Sequence, residues 1–165
     1  MTNQRSSEKA KVAAEAWRLL AEYFFRSAHL RVEVLQKFGL TPNEAKALGA
    51  LSAAEGTPMG ALAEKWACDA SNATWIVDRL ERQGLAERRN LPSDRRVKLV
   101  VLTDRGVEVS KRLHREMLKP PPDVMRLDIA DLETLRGALA KLNEVSSLPP
   151  VMEAERHVHS RHDSA

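Results

Sequence analysis

The stretch from Thr57 to Thr103 constrains the fold most: two short helix patterns flank a two-residue break, and two strand-like segments follow at once. Met59, Leu62, Ala63 and Trp66 recur at the i, i+3, i+4, i+7 spacing of one helix face. Thr57 is expected to cap this helix, with Pro58 at its first position. After Ala67-Cys68, Asp69 offers the next cap. Ala73, Ile76, Val77 and Leu80 then share one side of a helix, with Ser71, Asn72, Thr74, Trp75, Asp78 and Arg79 around the other. Gly84 ends that helix, and Leu85 is placed to close a Schellman contact. Leu85 to Asn90 and Val97 to Thr103 carry β-branched or alternating residues about Leu91-Pro92-Ser93-Asp94, which predicts a hairpin with a long loop.

Helices are expected on both sides of this unit. Ala13, Trp17, Leu20, Phe24, Ala28 and Leu35 step by three, four or seven, predicting one amphipathic helix over 8–38 that stops at Gly39. Thr41-Pro42-Asn43-Glu44 reads as a capping box with Pro at N1, opening a helix through Leu48 and Leu51. Thr103-Asp104 caps another, with Val107, Ser110, Leu113 and Met117 on one face, and Pro120-Pro121-Pro122 ends or kinks it. Asp128 with Asp131 at N3 opens a last helix, whose Ile129, Leu132, Leu135, Leu139 and Leu142 form a near-heptad stripe. From Ser146 to Ala165 the composition turns to Ser, Pro, His and charge, the pattern of a flexible tail. The expected fold is mainly α with a small β-hairpin wing. Its parts are an N-terminal helix (8–38), a winged helix-turn-helix (41–106), C-terminal helices (107–145) and the tail (146–165).

Composition narrows the classes. The chain's 165 residues suffice for one compact domain. No uncharged run exceeds eight residues, so a membrane span of about twenty apolar residues is not expected, and the N-terminus lacks a signal-peptide core; a cytoplasmic protein is expected. The single cysteine, Cys68, excludes an internal disulfide. Net charge is only +3, but Arg82 to Lys98 holds six bases against two acids, a local +4 that leaves −1 for the remainder. The positive charge is concentrated at the hairpin, as a localised nucleic-acid footprint requires.

A helix pair with a tight turn can lay its second helix in the DNA major groove, with Ser71, Asn72 and Thr74 near phosphates or base edges. The hairpin loop Ser93-Asp94-Arg95-Arg96 can place an arginine in the adjacent minor groove, and Asp94 is expected to hold a neighbouring arginine by a bidentate pair. The segments Leu40-Thr-Pro-Asn-Glu, Met59-Gly-Ala-Leu-Ala-Glu-Lys, Asp69-Ala-Ser-Asn-Ala-Thr, Val77-Asp-Arg-Leu-Glu-Arg-Gln-Gly-Leu-Ala-Glu-Arg, Asp94-Arg-Arg and Leu102-Thr-Asp-Arg-Gly occur in order. Together they resemble the MarR family of transcriptional regulators. The resemblance implies a homodimeric winged helix-turn-helix whose terminal helices interleave as a dimerisation module. It also implies double-stranded DNA as partner, release by a small aromatic or anionic effector, and DNA contacts at Ser71, Asn72, Thr74, Asp94, Arg95 and Arg96.

One position departs from the pattern: many relatives carry a basic residue where this chain has Trp75, which either meets DNA or packs against the wing or second helix. Trp17, Leu20 and Phe24 at one end and the Leu132 to Leu142 stripe at the other offer more apolar surface than one small domain needs, supporting a two-fold partner. The two recognition helices are then expected about 34 Å apart on a pseudo-palindromic operator. The alternatives are a winged-helix protein-interaction module without specific DNA binding and a ligand-independent DNA binder. No phosphate loop, nucleophile elbow or zinc-protease helix is present, so neither catalysis nor a cofactor is expected. His157, His159 and His162 in the tail suggest adventitious metal binding at most, and Cys68 reads as a small residue in a tight turn.

Overall fold

The structure is a computed structural model that describes residues 2–91 and 94–146. Helix α1 (Thr2–Arg26) leads into α2 (Ala28–Lys37) and α3 (Pro42–Ala50). Strand β1 (Thr57–Pro58) precedes α4 (Met59–Trp66) and α5 (Ala70–Arg82), and β2 (Ala86–Leu91) and β3 (Asp94–Leu102) follow. Helix α6 (Asp104–Met117), a 3-10 turn (Val124–Arg126) and α7 (Ile129–Val145) complete the described chain. Pro92, Ser93 and nearly all of the expected tail, with its three histidines, lie outside the described residues.

The capping residues act as their chemistry dictates. Thr41 Oγ1 accepts the Glu44 N–H while the Glu44 carboxylate accepts the Thr41 N–H at 2.8 Å, a complete capping box. Asp69, Thr103 and Asp128 each accept the backbone N–H three residues on. Helices α2 and α5 close with paired Schellman bonds, Leu40 to Leu35 with Gly39 to Gln36, and Leu85 to Leu80 with Gly84 to Glu81. Gly39 (φ +65) and Gly84 (φ +68) supply the left-handed residue that this closure requires.

Two helix boundaries differ from the sequence reading. The helix expected over 8–38 is two helices, because the chain breaks at Ser27. There the Phe24 carbonyl accepts Ser27 Oγ at 3.2 Å and Arg31 Nη2 at 2.7 Å, side-chain bonds that compete with the helical ladder. Thr57 does not cap α4. It pairs with Val100 as Pro58 pairs with Leu99, making β1 an edge strand, and α4 begins at Met59. A proline lacks the N–H that an interior strand must donate, and at an edge none is needed.

The sheet is antiparallel with order β1-β3-β2, and Ala86 to Asn90 face Leu102 to Lys98 in register, with an irregularity between Asn90 and Leu91. Its inner face packs on the helices. The core joins Leu35, Leu48, Leu62, Trp66, Ile76, Val77, Leu80, Leu85, Val100 and Leu113, so α5 is held by its buried side against α3, α4 and β2. Gly106 marks the tightest junction: a Cβ there would sit 1.9 Å from the Leu85 carbonyl oxygen. Thr103 joins the same corner by donating its hydroxyl to the Gly84 carbonyl at 2.7 Å. Among the described residues no helix is long and apolar enough to cross a membrane.

Candidate nucleic-acid interface

With Ala73, Ile76, Val77 and Leu80 buried, α5 turns Ser71, Thr74 and Trp75 to solvent. Asp69 Oδ1 accepts both the Ser71 hydroxyl at 2.5 Å and the Asn72 N–H at 2.8 Å, and these bonds, the Ser71 bond foremost, hold its carboxyl below the ordinary range. Thr74 Oγ1 donates to the Ala70 carbonyl at 2.9 Å. Both hydroxyl protons are therefore spent within the helix. What these two side chains offer outward is oxygen lone pairs and the Thr74 methyl. Asn72 is half-buried and lines a cleft of about 180 Å³ with Asn43, Lys46, Trp66, Ala67, Cys68 and Ile76.

Trp75 is 48% exposed and lies outside the core, with the Arg79 guanidinium carbon 5.3 Å from a ring centroid. Arg79 in turn reaches to α3, where its Nε donates to Glu44 Oε1 at 2.5 Å. Burial pushes the fully buried Glu44 carboxyl up. The Arg79 hydrogen bond, the Thr41 N–H and the Arg79 charge outweigh it and hold the group below its ordinary value.

Across the hairpin, Asp94 opens β3 opposite Leu91, and Arg95 and Arg96 follow in the strand. Asp94 Oδ1 accepts the Arg96 backbone N–H at 2.9 Å, so the bond formed to Arg96 is to its main chain and not to its guanidinium. Arg96 is exposed, and its guanidinium has no hydrogen bond or ion pair among the described residues. The bases nearer the root of the wing are engaged. Arg88 Nη2 donates to Asp78 Oδ1 at 2.6 Å, its Nη1 pairs with Glu81, and its N–H donates to Glu81 Oε1 at 2.8 Å. Arg89 pairs with Glu87, and Lys98 donates to Asn90.

Within the basic run, Arg88 and Arg89 at the root are thus neutralised by Asp78, Glu81 and Glu87, while Arg95-Arg96 lie at the tip. Summing charge over 82–98 missed this, since Asp78 and Glu81 lie just outside that window. The visible clue was two acids at i, i+3 on α5, one turn apart and facing one side. The structure thereby ties wing to helix. Arg88 clamps β2 onto α5, so the expected contact residues Ser71, Asn72, Thr74 and Trp75 belong to one rigid unit with the strand that carries Asp94, Arg95 and Arg96.

The MarR family profile matches residues 40–98, from just after α2 into β3. A protein of Thauera aromatica assigned as a transcriptional regulatory protein for the hcr operon is 31% identical over 113 residues, covering 68% of each chain. This chain belongs to the MarR family. A transcriptional regulator from Thermotoga maritima superposes with a TM-score of 0.64 at 27% identity, covering 78% of this chain and 91% of that one. The multiple antibiotic-resistance repressor of Listeria monocytogenes shares the fold, with a TM-score of 0.69 at 22% identity over 84% of this chain and 99% of the other. The chain is accordingly a DNA-binding transcriptional regulator of winged-helix fold and not an enzyme.

Proposed function

We propose that this MarR regulator works in the cytoplasm as a homodimer that represses transcription from a pseudo-palindromic operator and is released by a small aromatic or anionic effector. The observation that carries the dimer is the distribution of exposed apolar side chains. Apart from Trp75, every large exposed hydrophobic residue among those described lies on α1, α2, or the chain from Leu118 to Val145. Trp17 is 68% exposed, Phe25 73% and Ile129 72%, and α7 buries none of its residues. Such continuous apolar faces at both ends of one chain need a partner, and a two-fold copy covers both at once.

In each half-site α5 enters the major groove with Ser71, Asn72, Thr74 and Trp75 towards the bases or backbone, and the wing sets Arg95 and Arg96 beside the minor groove. Asp94 braces the wing through the Arg96 main chain. The free guanidinium of Arg96 supports this reading, because an unpaired arginine at a strand-turn tip gives up no internal ion pair on meeting phosphate or a narrow groove. Effector control follows from linkage: a ligand that prefers a spacing of the two recognition helices unequal to one DNA turn lowers operator affinity by its differential affinity for the two states.

Sedimentation and gel-shift titration test the proposal together. A dimer that retards the promoter of its own gene, with log K falling linearly against log salt, is the expected result. A monomer, or retardation with no preference over unrelated duplex, refutes it. Leu139→Asp should yield a folded monomer with lost retardation.

A further inference from the structure

We infer that Glu44 and Arg79 position Trp75 as an apolar reader of thymine, so that this regulator selects a T in each half-site through its 5-methyl group. The inference rests on the major-groove role proposed for α5 and names what that helix reads.

Three observations converge. On the exposed face of α5, Ser71 donates its hydroxyl to Asp69 and Thr74 donates its own to the Ala70 carbonyl, so the two side chains flanking Trp75 have no free proton for a base acceptor. Trp75, 48% exposed, is the one large apolar side chain that α5 presents to solvent. Arg79, one turn further on, is tied back to α3: its Nε is bonded at 2.5 Å to Glu44, a carboxylate with no exposed surface, and its guanidinium carbon stands 5.3 Å from a ring centroid of the indole.

An arginine on this face has two uses. It can contact phosphate, or it can stack on an aromatic ring and fix it. The buried carboxylate favours the second, because its bond to Nε holds the guanidinium beside the ring and releasing it would strand the Glu44 charge inside the fold. The indole is therefore braced from behind while its outer surface stays open. On the major-groove floor the thymine methyl is the apolar group among the four bases, and an indole edge is the matching surface. Glu44 and Arg79 act through Trp75 and are positioning residues.

Duplexes selected by the full-length protein from a random-sequence pool supply the probe. Each thymine of the selected half-site is replaced singly by deoxyuridine, which removes the methyl alone, and affinities are measured across a salt series. For the wild type one such position should weaken binding about fourfold, the transfer value of a single methyl. Trp75→Ala should bind all duplexes more weakly and abolish the difference between thymine and deoxyuridine at that position. Arg79→Gln should leave the salt slope unchanged while reducing the methyl dependence. Glu44→Gln frees Arg79 to swing to phosphate, so the slope should steepen by about 0.9 for the one added contact.

Melting temperatures identify any variant that fails to fold, and Arg79→Gln and Glu44→Gln read the same relay from opposite ends. Duplexes bound normally with no methyl dependence, or with one that survives Trp75→Ala, overturn this inference and leave the DNA-binding proposal standing. A salt slope that falls by about one in Arg79→Gln overturns the positioning role, since Arg79 is then a phosphate contact. A pool that yields no selected duplex overturns both.

Discussion

Replacing Arg88 by alanine probes the clamp that makes helix and wing one unit. In the wild type the guanidinium spans α5 and β2, with Nη2 2.6 Å from Asp78 Oδ1 and Nη1 on Glu81 Oε2. Charge-assisted hydrogen bonds contribute about 1.5–3 kcal/mol each when well enclosed. Here the side chains are 25% exposed for Arg88, 48% for Asp78 and 29% for Glu81, so solvent screening reduces each term. The Glu81 carboxylate also keeps the Arg88 N–H at 2.8 Å, a bond that alanine preserves. The expected loss is about 1–2 kcal/mol for Arg88→Ala. Urea unfolding monitored by circular dichroism reads this as a lower midpoint at unchanged slope.

The same substitution has an electrostatic effect that stability alone does not report. It releases Asp78 and Glu81 as two uncompensated carboxylates beside the DNA-facing helix, so operator affinity should fall and the fall should be larger at low salt. Arg88→Ala combined with Asp78→Asn removes one of those charges and should recover part of the affinity, though not the stability of the lost bonds. An Arg88→Ala variant that unfolds at the wild-type midpoint, or whose affinity deficit is independent of salt, rules out the clamp.

Arg96→Ala should weaken operator binding by about 1–3 kcal/mol with the dimer and its melting intact, because the guanidinium holds no internal partner; unchanged affinity in a gel shift counts against the wing contact. Gly106→Ala drives a Cβ to 1.9 Å from the Leu85 carbonyl oxygen, so α6 must shift against the wing root at a cost of about 2 kcal/mol or more; a thermal melt equal to the wild type's excludes that close approach. Glu44 has a folded-state pKa depressed below its ordinary 4.5, so its ion pair contributes stability that is present above that value and lost as pH falls through the lower folded value. The urea midpoint of Glu44→Gln should therefore lie below the wild type's at pH 7, with the gap narrowing below pH 4.5; a gap that stays constant on acidification contradicts the sign.

What the sequence discloses follows the range of the interaction. The caps at Thr41, Asp69, Thr103 and Asp128, and the stops at Gly39 and Gly84, depend on partners within five residues, and all appear as read. Thr57-Pro58 repeats the Thr41-Pro42 pattern yet pairs as an edge strand. Its outcome depends on Val100, some forty residues away, to which local capping rules are blind. The break at Ser27 was hidden for a related reason: apolar periodicity runs through it undisturbed, and the Arg31 bond to the Phe24 carbonyl that opposes the ladder has no periodic signature.

The site divides along the same line. Exposure of Ser71, Thr74 and Trp75 follows from helix phase, since the buried set Ala73, Ile76, Val77 and Leu80 leaves them no other side. Which arginines stay available cannot follow from phase or from charge counts. Arg79 and Arg88 are committed to Glu44, Asp78 and Glu81 by contacts that exist only once α3, α5 and β2 are packed, while Arg96 keeps its guanidinium free. Folding thus sorts one basic run into structural and exposed arginines. The recognition face it leaves on α5 is apolar at its centre, and the Arg96 guanidinium stands free on the wing.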